Sequence, residues 1–210
     1  MKTYETYSFG DEIFIGAVPR GKVDCFNWEE ESFSRPETDF QMFFKKNKGI
    51  FVNMKTNEKN LRITCEGRDG NCWEDSCMEF FFQPFSKEDG YINFEITPKG
   101  AYLSAFGVSR ENRVFLKELT DIAPEVNCKI TDEGWELSLF IPCSLIEDVF
   151  KKEFTAKEGT YKGNFFKCGD KTEKPHYGSF SPMGELPPGF HNPELFADII
   201  VSDYYLRKEA

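Results

Sequence analysis

The chain has 210 residues, enough for one large β domain or two small units and too few for two full-size domains. With 40% apolar and 30% charged residues it has the composition of a globular protein with a real core, which excludes disordered and fibrous classes. The formal net charge of −10, without clustered basic residues, would repel a phosphate backbone and argues against nucleic-acid binding.

Aromatic residues are unusually frequent, at 16% of the chain, and 23 of them are phenylalanine. Aromatic side chains favour the half-buried surface of a pleated sheet. The composition therefore indicates a β protein before any pattern is considered.

The amino terminus lacks an apolar stretch of signal-peptide length, and no run approaches the ~18 apolar residues that a membrane helix needs. As given, the chain is expected to be cytoplasmic, or extracellular if a leader was removed, with no membrane partner. Its seven cysteines are an odd number in a chain too large to need disulfides. Buried free thiols are therefore favoured over a disulfide framework.

Short extended runs separated by turn residues follow one another along the chain, without a repeat of fixed period. Their regular spacing predicts an all-β fold, an antiparallel β-sandwich. The predicted strands are Lys22–Trp28, Thr38–Lys45, Gly49–Lys55, Leu61–Gly67, Cys77–Phe85, Tyr91–Pro98, Ala101–Phe106, Glu125–Thr131, Trp135–Ile141, Gly159–Lys167 and Leu195–Tyr204.

Two of these runs, 91–97 and 135–141, alternate most clearly between apolar and other side chains. In the first, the apolar face should pack in the core and leave the polar face available to a ligand. The residues predicted to face the core are Ile92, Phe94, Ile96, Trp135, Leu137, Leu139 and Ile141.

The fold should include one or two short helices and a long C-terminal loop. A helix is predicted within Pro142–Lys152, with Ser144 as its N-cap and Glu147 three residues further on. The loop, Gly169–Asn192, is rich in proline and glycine and contains both histidines. Long ordered loops in compact domains are usually functional.

Trp73 lies in a polar, glycine-containing stretch directly before a strong predicted strand. Trp28 and Trp135 border apolar runs and are predicted to lie in the core, whereas Trp73 is a candidate for an exposed platform. On the following strand, Glu79 should share a face with Phe81. An aromatic ring can cover the apolar face of a sugar while a carboxylate accepts hydrogen bonds from its hydroxyls.

In this order and spacing, the motifs resemble carbohydrate-binding module family 9 and its stand-alone relatives, which form a β-sandwich. The resemblance covers most of the chain. It rests on Trp73–Phe81, on Tyr91–Gly100 with Gly134–Pro142, and on Gly163–Asp170, His176–Phe180 and Phe190–Ala197.

In sugar-binding members of that family, two tryptophans enclose a terminal sugar and a glutamate bonds its hydroxyls. The resemblance implies that Trp73 is the first platform, Phe190 the second and Glu79 the glutamate. It also shows departures: Phe190 replaces a tryptophan, Glu95 stands in place of an arginine and Thr97 in place of an asparagine. The predicted ligand-binding residues are Trp73, Glu79, Phe190, Glu95, Asn93 and His191.

The resemblance implies a single domain, 1–210, that binds a mono- or oligosaccharide without catalysis. One alternative is a glycoside hydrolase or accessory subunit in carbohydrate (xylan-type) catabolism, in which Glu79 and Glu95 would supply the two carboxyl groups. The other is an interaction domain that has lost its ligand. A Ser-His nucleophile is disfavoured, because Ser76 and Ser179 lie outside any Gly-x-Ser-x-Gly motif.

No cofactor is required by this interpretation, although calcium is possible because family members hold it in loops. Acidic turns around Asp69, Asp132 and Asp170 could supply oxygen ligands, and a solvated turn is the simpler interpretation of each. Zinc is disfavoured, since the chain has no Cys-x-x-Cys. A distantly similar sandwich binds haem, for which His176 or His191 would be an axial ligand; a structural, hydrogen-bonded role is favoured for both.

Overall fold

The computed structural model describes residues 1–26, 28, 34–184 and 189–205, and these contain thirteen strands and one α-helix. The helix, α1, is Cys143–Phe150. The strands are β1 (Thr3–Phe9), β2 (Gly21–Lys22), β3 (Thr38–Lys45), β4 (Gly49–Thr56), β5 (Cys77–Gln83), β6 (Tyr91–Ile96), β7 (Tyr102–Gly107), β8 (Val114–Phe115), β9 (Glu125–Thr131), β10 (Gly134–Pro142), β11 (Gly159–Cys168), β12 (Tyr177–Ser179) and β13 (Ala197–Asp203).

The strands form one curled sheet in the order β8-β7-β6-β5-β11-β13-β1-β3-β4-β10-β9, with β12 added to β11 and β2 added to β3. Every pair is antiparallel except those of β1, which runs parallel to both β13 and β3. The sheet folds over so that its two halves face each other across the core. The predicted β-sandwich is therefore confirmed.

Phenylalanines join the two halves of the sandwich. Phe40 of β3 stacks on Phe165 of β11 with ring centroids 3.6 Å apart, and Phe44 meets Phe82 edge to face. All seven residues predicted to face inward from β6 and β10 lie in this core. The alternation in those two runs was sufficient to assign their buried faces.

Two predicted strands are wrong or much shortened. In Lys22–Trp28, which includes Asn27 outside the described residues, strand pairing stops at Lys22 and Cys25 makes a single bridge with Ser179. Leu61–Gly67 forms no strand, because the backbone N–H groups of Thr64 and Cys65 donate to the Asp75 carboxylate. The Asp75 carboxylate there accepts the backbone hydrogen bonds that a neighbouring strand would otherwise accept.

Helix α1 starts one residue before the predicted N-cap. Pro142 is the N-cap, without a side-chain cap bond, and Cys143 donates its N–H to the Lys48 carbonyl of the β3–β4 turn. Glu147 accepts from the Phe154 amide beyond the helix instead of closing a capping box. No helix in the described ranges is long and apolar enough to span a membrane.

The predicted loop Gly169–Asn192 contains β12, which pairs with the end of β11, so it is less irregular than expected. Residues 185–188 of this loop lie outside the described residues. Near the end of the loop, Phe190 stacks on Phe166 of β11, on the half of the sheet that holds the predicted site.

Candidate functional site

The face of β5, β6, β7 and β11 that points away from the core is buried under loops, and we call it the covered face. Its residues are Cys77, Glu79, Phe81, Tyr91, Asn93, Glu95, Leu103, Ala105, Asn164, Phe166 and Cys168. Strand register places Glu79 directly opposite Glu95, and Phe81 opposite Asn93. The segments that contact this face include the turn at Trp73, the segment ending at Arg113, and Phe190–His191.

Trp73 lies on a 3-10 turn, Cys72–Glu74, at the edge of the covered face. The turn is held firmly, since Asp170 donates its N–H to the Trp73 carbonyl and Lys171 forms an ion pair with Glu74 at 2.9 Å. Cys72 anchors the turn in the interior, whereas the Trp73 side chain is 36% exposed. Trp28 and Trp135 are buried, as predicted.

Phe190 is half-buried and links two small apolar clusters next to the covered face. Its ring stacks on Phe166 with centroids 4.2 Å apart and on Trp28 with centroids 5.6 Å apart. It also packs against the cluster that contains Cys72, the residue before Trp73. The structure thus brings Phe190 and the Trp73 turn to the same region of the fold.

Glu79 and Glu95 form a buried acidic pair at the centre of the covered face, 2% and 4% exposed respectively. Glu79 accepts a hydrogen bond from the Cys168 thiol at 2.8 Å. Glu95 accepts one from the Asn93 side-chain amide at 2.9 Å through Oε1, while its Oε2 is buried without a partner. The pair therefore retains unused hydrogen-bonding capacity.

Burial favours the protonated form of both acids of this pair. Burial, and then the charge of Glu95, raise the pKa of Glu79 well above its ordinary value. Burial raises the pKa of Glu95 to about 7, although Arg113 and Asn93 oppose the shift. Two carboxylates side by side in a dry site cannot both ionise easily.

These shifts predict that stability falls as pH rises. The folded state binds the Glu95 proton more tightly than the unfolded state does. The resulting stabilisation is fully present below about pH 4.5 and is lost as pH rises through about 7. Glu95→Gln cannot ionise, so it should raise the melting temperature relative to wild type at pH 8 and change it little at pH 5. An equal difference at both pH values would contradict this prediction.

Glu74→Gln is the matched control for that measurement. Glu74 pairs with Lys171 on the surface, which lowers its pKa. Its contribution to stability therefore has the opposite sign and is lost as pH falls. Glu74→Gln should therefore not show the higher melting temperature at pH 8 that is expected of Glu95→Gln.

Arg113, from the segment between β7 and β8, is a candidate site residue that the sequence alone does not indicate. Its guanidinium donates to Asn93 Oδ1 at 3.1 Å and lies over the Tyr91 ring at 4.3 Å. It also attracts the Glu95 carboxylate. Arg113 thus brings a positive charge to the covered face from outside β6, although Glu95 stands in place of the arginine of sugar-binding family members.

His191 lies over the Tyr91 end of the covered face. A ring nitrogen, Nδ1, is 2.9 Å from the Tyr91 hydroxyl, and the ring tilts over Phe81. Burial, together with Arg113 and Arg110, lowers the pKa of His191 to about 3. The imidazole is therefore neutral at physiological pH and offers hydrogen bonds without charge.

His176, in contrast, lies in a separate buried network on the core side of β11. Lys167 donates to His176 Nε2 at 2.8 Å and pairs with Glu58 at 2.8 Å, while His176 Nδ1 donates to the Lys174 carbonyl. Ser34 is 3.1 Å from Nδ1, but that nitrogen carries a proton and cannot act as its base. Both ring nitrogens of His176 are therefore engaged in hydrogen bonds within this network.

A group of three ligating side chains occurs among the described residues, formed by Cys77, Glu79 and Cys168, whose ligand atoms lie within 4.8 Å of one another. Two thiols and one carboxyl suit a thiophilic cation better than calcium. Of the acids considered for calcium, Asp69 pairs with Lys117 at 2.9 Å, and Asp132 lies in the β9–β10 turn. Asp170 lies beside Glu74, and its burial and that neighbour raise its pKa to about 6.

The solved structures that are similar to the chain include carbohydrate-binding proteins from two bacteria. A "putative carbohydrate-binding protein" from Bacteroides uniformis ATCC 8492 is 26% identical, with a TM-score of 0.80 over 96% of this chain and 99% of that one. A family 9 carbohydrate-binding module from Caldicellulosiruptor kristjanssonii was solved with cellotriose (TM-score 0.64, 10% identity, 100% and 98% covered) and with glucose (0.63, 10%, 100% of both). No curated protein matches the chain.

The family model described as carbohydrate-binding family 9 matches residues 12–201, nearly the whole chain. That span includes every strand of the sandwich except β1 and the end of β13. It also includes the Trp73 turn, the acidic pair and Phe190. The chain is a member of carbohydrate-binding family 9.

Proposed function

We propose that this protein binds carbohydrate without altering it, at the edge of the covered face beside Trp73. The observation that carries the proposal is an indole held 36% exposed on a fixed turn that adjoins buried, under-used acid groups. Family membership and the sugar complexes of the Caldicellulosiruptor module support it. An exposed indole on a rigid turn is suited to stack on the apolar face of a pyranose.

In this proposal Trp73 is the main platform and Phe190 flanks the sugar with its exposed part. Glu79 is 2% exposed, so a sugar hydroxyl reaches it only by displacing part of the loops that cover it; its raised pKa favours the protonated form, which can donate as well as accept. Asn93 and Glu95 complete the polar lining behind it, and His191 closes one side. Arg113 orients Asn93, with which it shares a hydrogen bond.

The affinity expected from such a site is weak. A ring that covers ~100 Å² of apolar sugar surface contributes ~2.5 kcal/mol at ~25 cal/mol/Å². Association costs remove much of what two rings supply. The dissociation constant should therefore lie roughly between millimolar and micromolar.

A glycan array with and without calcium, followed by calorimetry with each retained sugar, tests the proposal. Glucose and cellotriose are included as soluble probes, because structures of the same fold were solved with them. Saturable binding of at least one sugar supports the proposal, and dependence on calcium would show whether the ion participates. A correctly folded protein that binds no sugar in the panel would overturn it.

A glycoside hydrolase is the second candidate, and one observation favours it: the acidic pair contains carboxyl groups with raised pKa values, as a general acid requires. Turnover of chromogenic glycosides that disappears in Glu79→Gln would establish this activity. Retained sugar binding without turnover would establish the non-catalytic function.

A further inference from the structure

Four of the seven cysteines gather around the Trp73 turn: Cys65, Cys72, Cys77 and Cys168. Cys65 is half-buried, and the other three are buried. The sulfur atoms of Cys65 and Cys72 lie 3.2 Å apart. These two residues are separated by only six others, in the segment that leads into Trp73.

The backbone around the two thiols is fixed by hydrogen bonds. The Asp75 carboxylate accepts from the Cys65 N–H at 2.6 Å, and also from Thr64. At the other end, Cys72 donates its N–H to the Gly70 carbonyl at 2.8 Å, which closes a tight turn. The sulfurs are therefore brought together by the local fold and not by a chance side-chain orientation.

Gly70 supplies a second, independent indication. A Cβ at this position would lie 2.7 Å from Cys65 Sγ, closer than real Cβ atoms approach another atom. The backbone at Gly70 is not left-handed, so its conformation does not itself require glycine. Any side chain at position 70 would force the Cys65 sulfur to shift, so glycine leaves room for that sulfur in its place beside Cys72.

We propose that Cys65 and Cys72 are an exchangeable thiol pair, which a low-molecular-weight disulfide converts to an intramolecular disulfide that closes the segment before Trp73. In the first step the Cys65 thiolate attacks one sulfur of oxidised glutathione and releases one glutathione. In the second step the Cys72 thiolate attacks Cys65 Sγ and releases the other glutathione. Two protein thiols are oxidised and one external disulfide is reduced to two thiols.

The order of these steps follows from accessibility. Cys65 is the only half-buried thiol of the four, so an external disulfide reaches it first. Burial raises the pKa of Cys72. The neighbouring thiols of Cys77 and Cys65 and the carboxyl of Glu95 raise it further. Cys77 and Cys168 are buried from an external disulfide, and the sulfur that contacts Cys65 is that of Cys72, so Cys77 and Cys168 should remain reduced.

The test is to treat the native protein with oxidised glutathione at pH 8, alkylate the remaining thiols after denaturation, and map the peptides. Trypsin separates residues 63–68, which contain Cys65, from residues 69–87, which contain Cys72 and Cys77. Wild type should lose two of its seven thiols and join these two peptides. Running the experiment in Cys77→Ser leaves one cysteine in the second peptide and identifies the partner.

Single variants test the two roles. Cys72→Ser should trap glutathione on Cys65, and Cys65→Ser should form no disulfide, whereas Cys128→Ser, a remote half-buried control on β9, should behave like wild type. Gly70→Ala should slow the closure at least tenfold, because the new methyl group displaces the Cys65 sulfur. The closed form should melt about 5 °C higher than the reduced form.

The proposal is overturned if wild type keeps seven free thiols, if it carries stable glutathione on Cys65, or if the disulfide joins other cysteines. It does not depend on sugar binding. Failure of every sugar to bind would leave the mapped disulfide unaffected, and failure of the disulfide would leave the sugar titration unaffected. The two proposals are therefore tested separately.

Discussion

Replacing Lys167 by alanine is expected to lower the free energy of unfolding by about 3 to 5 kcal/mol. The Lys167 side chain is completely buried, and its ammonium group lies 2.8 Å from Glu58 Oε2 and 2.8 Å from His176 Nε2. Burial alone would raise the pKa of Glu58, but Lys167 outweighs burial and lowers it. Without the ammonium group, an uncompensated carboxylate remains in the interior. Urea unfolding at pH 7 measures the loss.

The matched control is Lys171→Ala, which removes an exposed ion pair with Glu74 and should cost less than about 1 kcal/mol. The double variant Lys167→Met with Glu58→Gln removes both charges and should recover most of the stability that Lys167→Ala loses. Lys167→Ala should also lose less at pH 5, because Glu58 can then take up a proton. A loss below 1 kcal/mol for Lys167→Ala would show that the buried pair does not hold β11 in place.

Replacing Trp73 by alanine is expected to weaken sugar binding by about 60-fold, the equivalent of ~2.5 kcal/mol, and so to abolish detectable binding at a weak site. The same change should cost about 1 to 2 kcal/mol of unfolding free energy, less than the loss of a fully buried indole, since the side chain is part-exposed on a turn whose backbone contacts persist. Calorimetry with the best sugar of the array and thermal unfolding measure the two effects.

Two further variants give that experiment its controls. Ile130→Ala alters a side chain that is similarly exposed on β9, far from the covered face, and should leave both measurements unchanged. Trp135→Ala removes a fully buried indole and should cost ~3 to 5 kcal/mol. If Trp73→Ala destabilises the protein as much as Trp135→Ala does, Trp73 belongs to the core and the proposed platform is wrong.

Local patterns predicted the fold well wherever period-two alternation was strong. Strands β3 and β9 have the predicted bounds, and the inward faces of β6 and β10 are correct. β1 was missed because its pairing is entirely long-range, parallel to β13 at the opposite end of the chain. Leu61–Gly67 was mistaken for a strand because its backbone hydrogen bonds go to Asp75, and no local pattern distinguishes that partner from a strand.

The site was predictable only in part. The polar setting of Trp73 indicated an exposed ring, and the alternation around Glu79 assigned its face. The convergence of Arg113 and Cys168 on that face was not predictable, because it depends on the register of strands far apart in sequence: β5 pairs Cys77 with Cys168. The deep burial of Glu95 and Asn93 also results from the loops that cover the face, and the alternation of side chains along β6 does not indicate that cover.

The most direct test of sugar binding at Trp73 uses the three indole N–H signals of the protein, from Trp28, Trp73 and Trp135, followed by nitrogen-15 NMR during titration with glucose and with cellotriose. Stacking of the sugar on Trp73 should shift the Trp73 signal progressively until the site is saturated. The Trp135 signal should stay fixed, because that indole is buried and donates to Glu58. Saturable sugar binding that leaves the Trp73 signal unmoved would contradict the account.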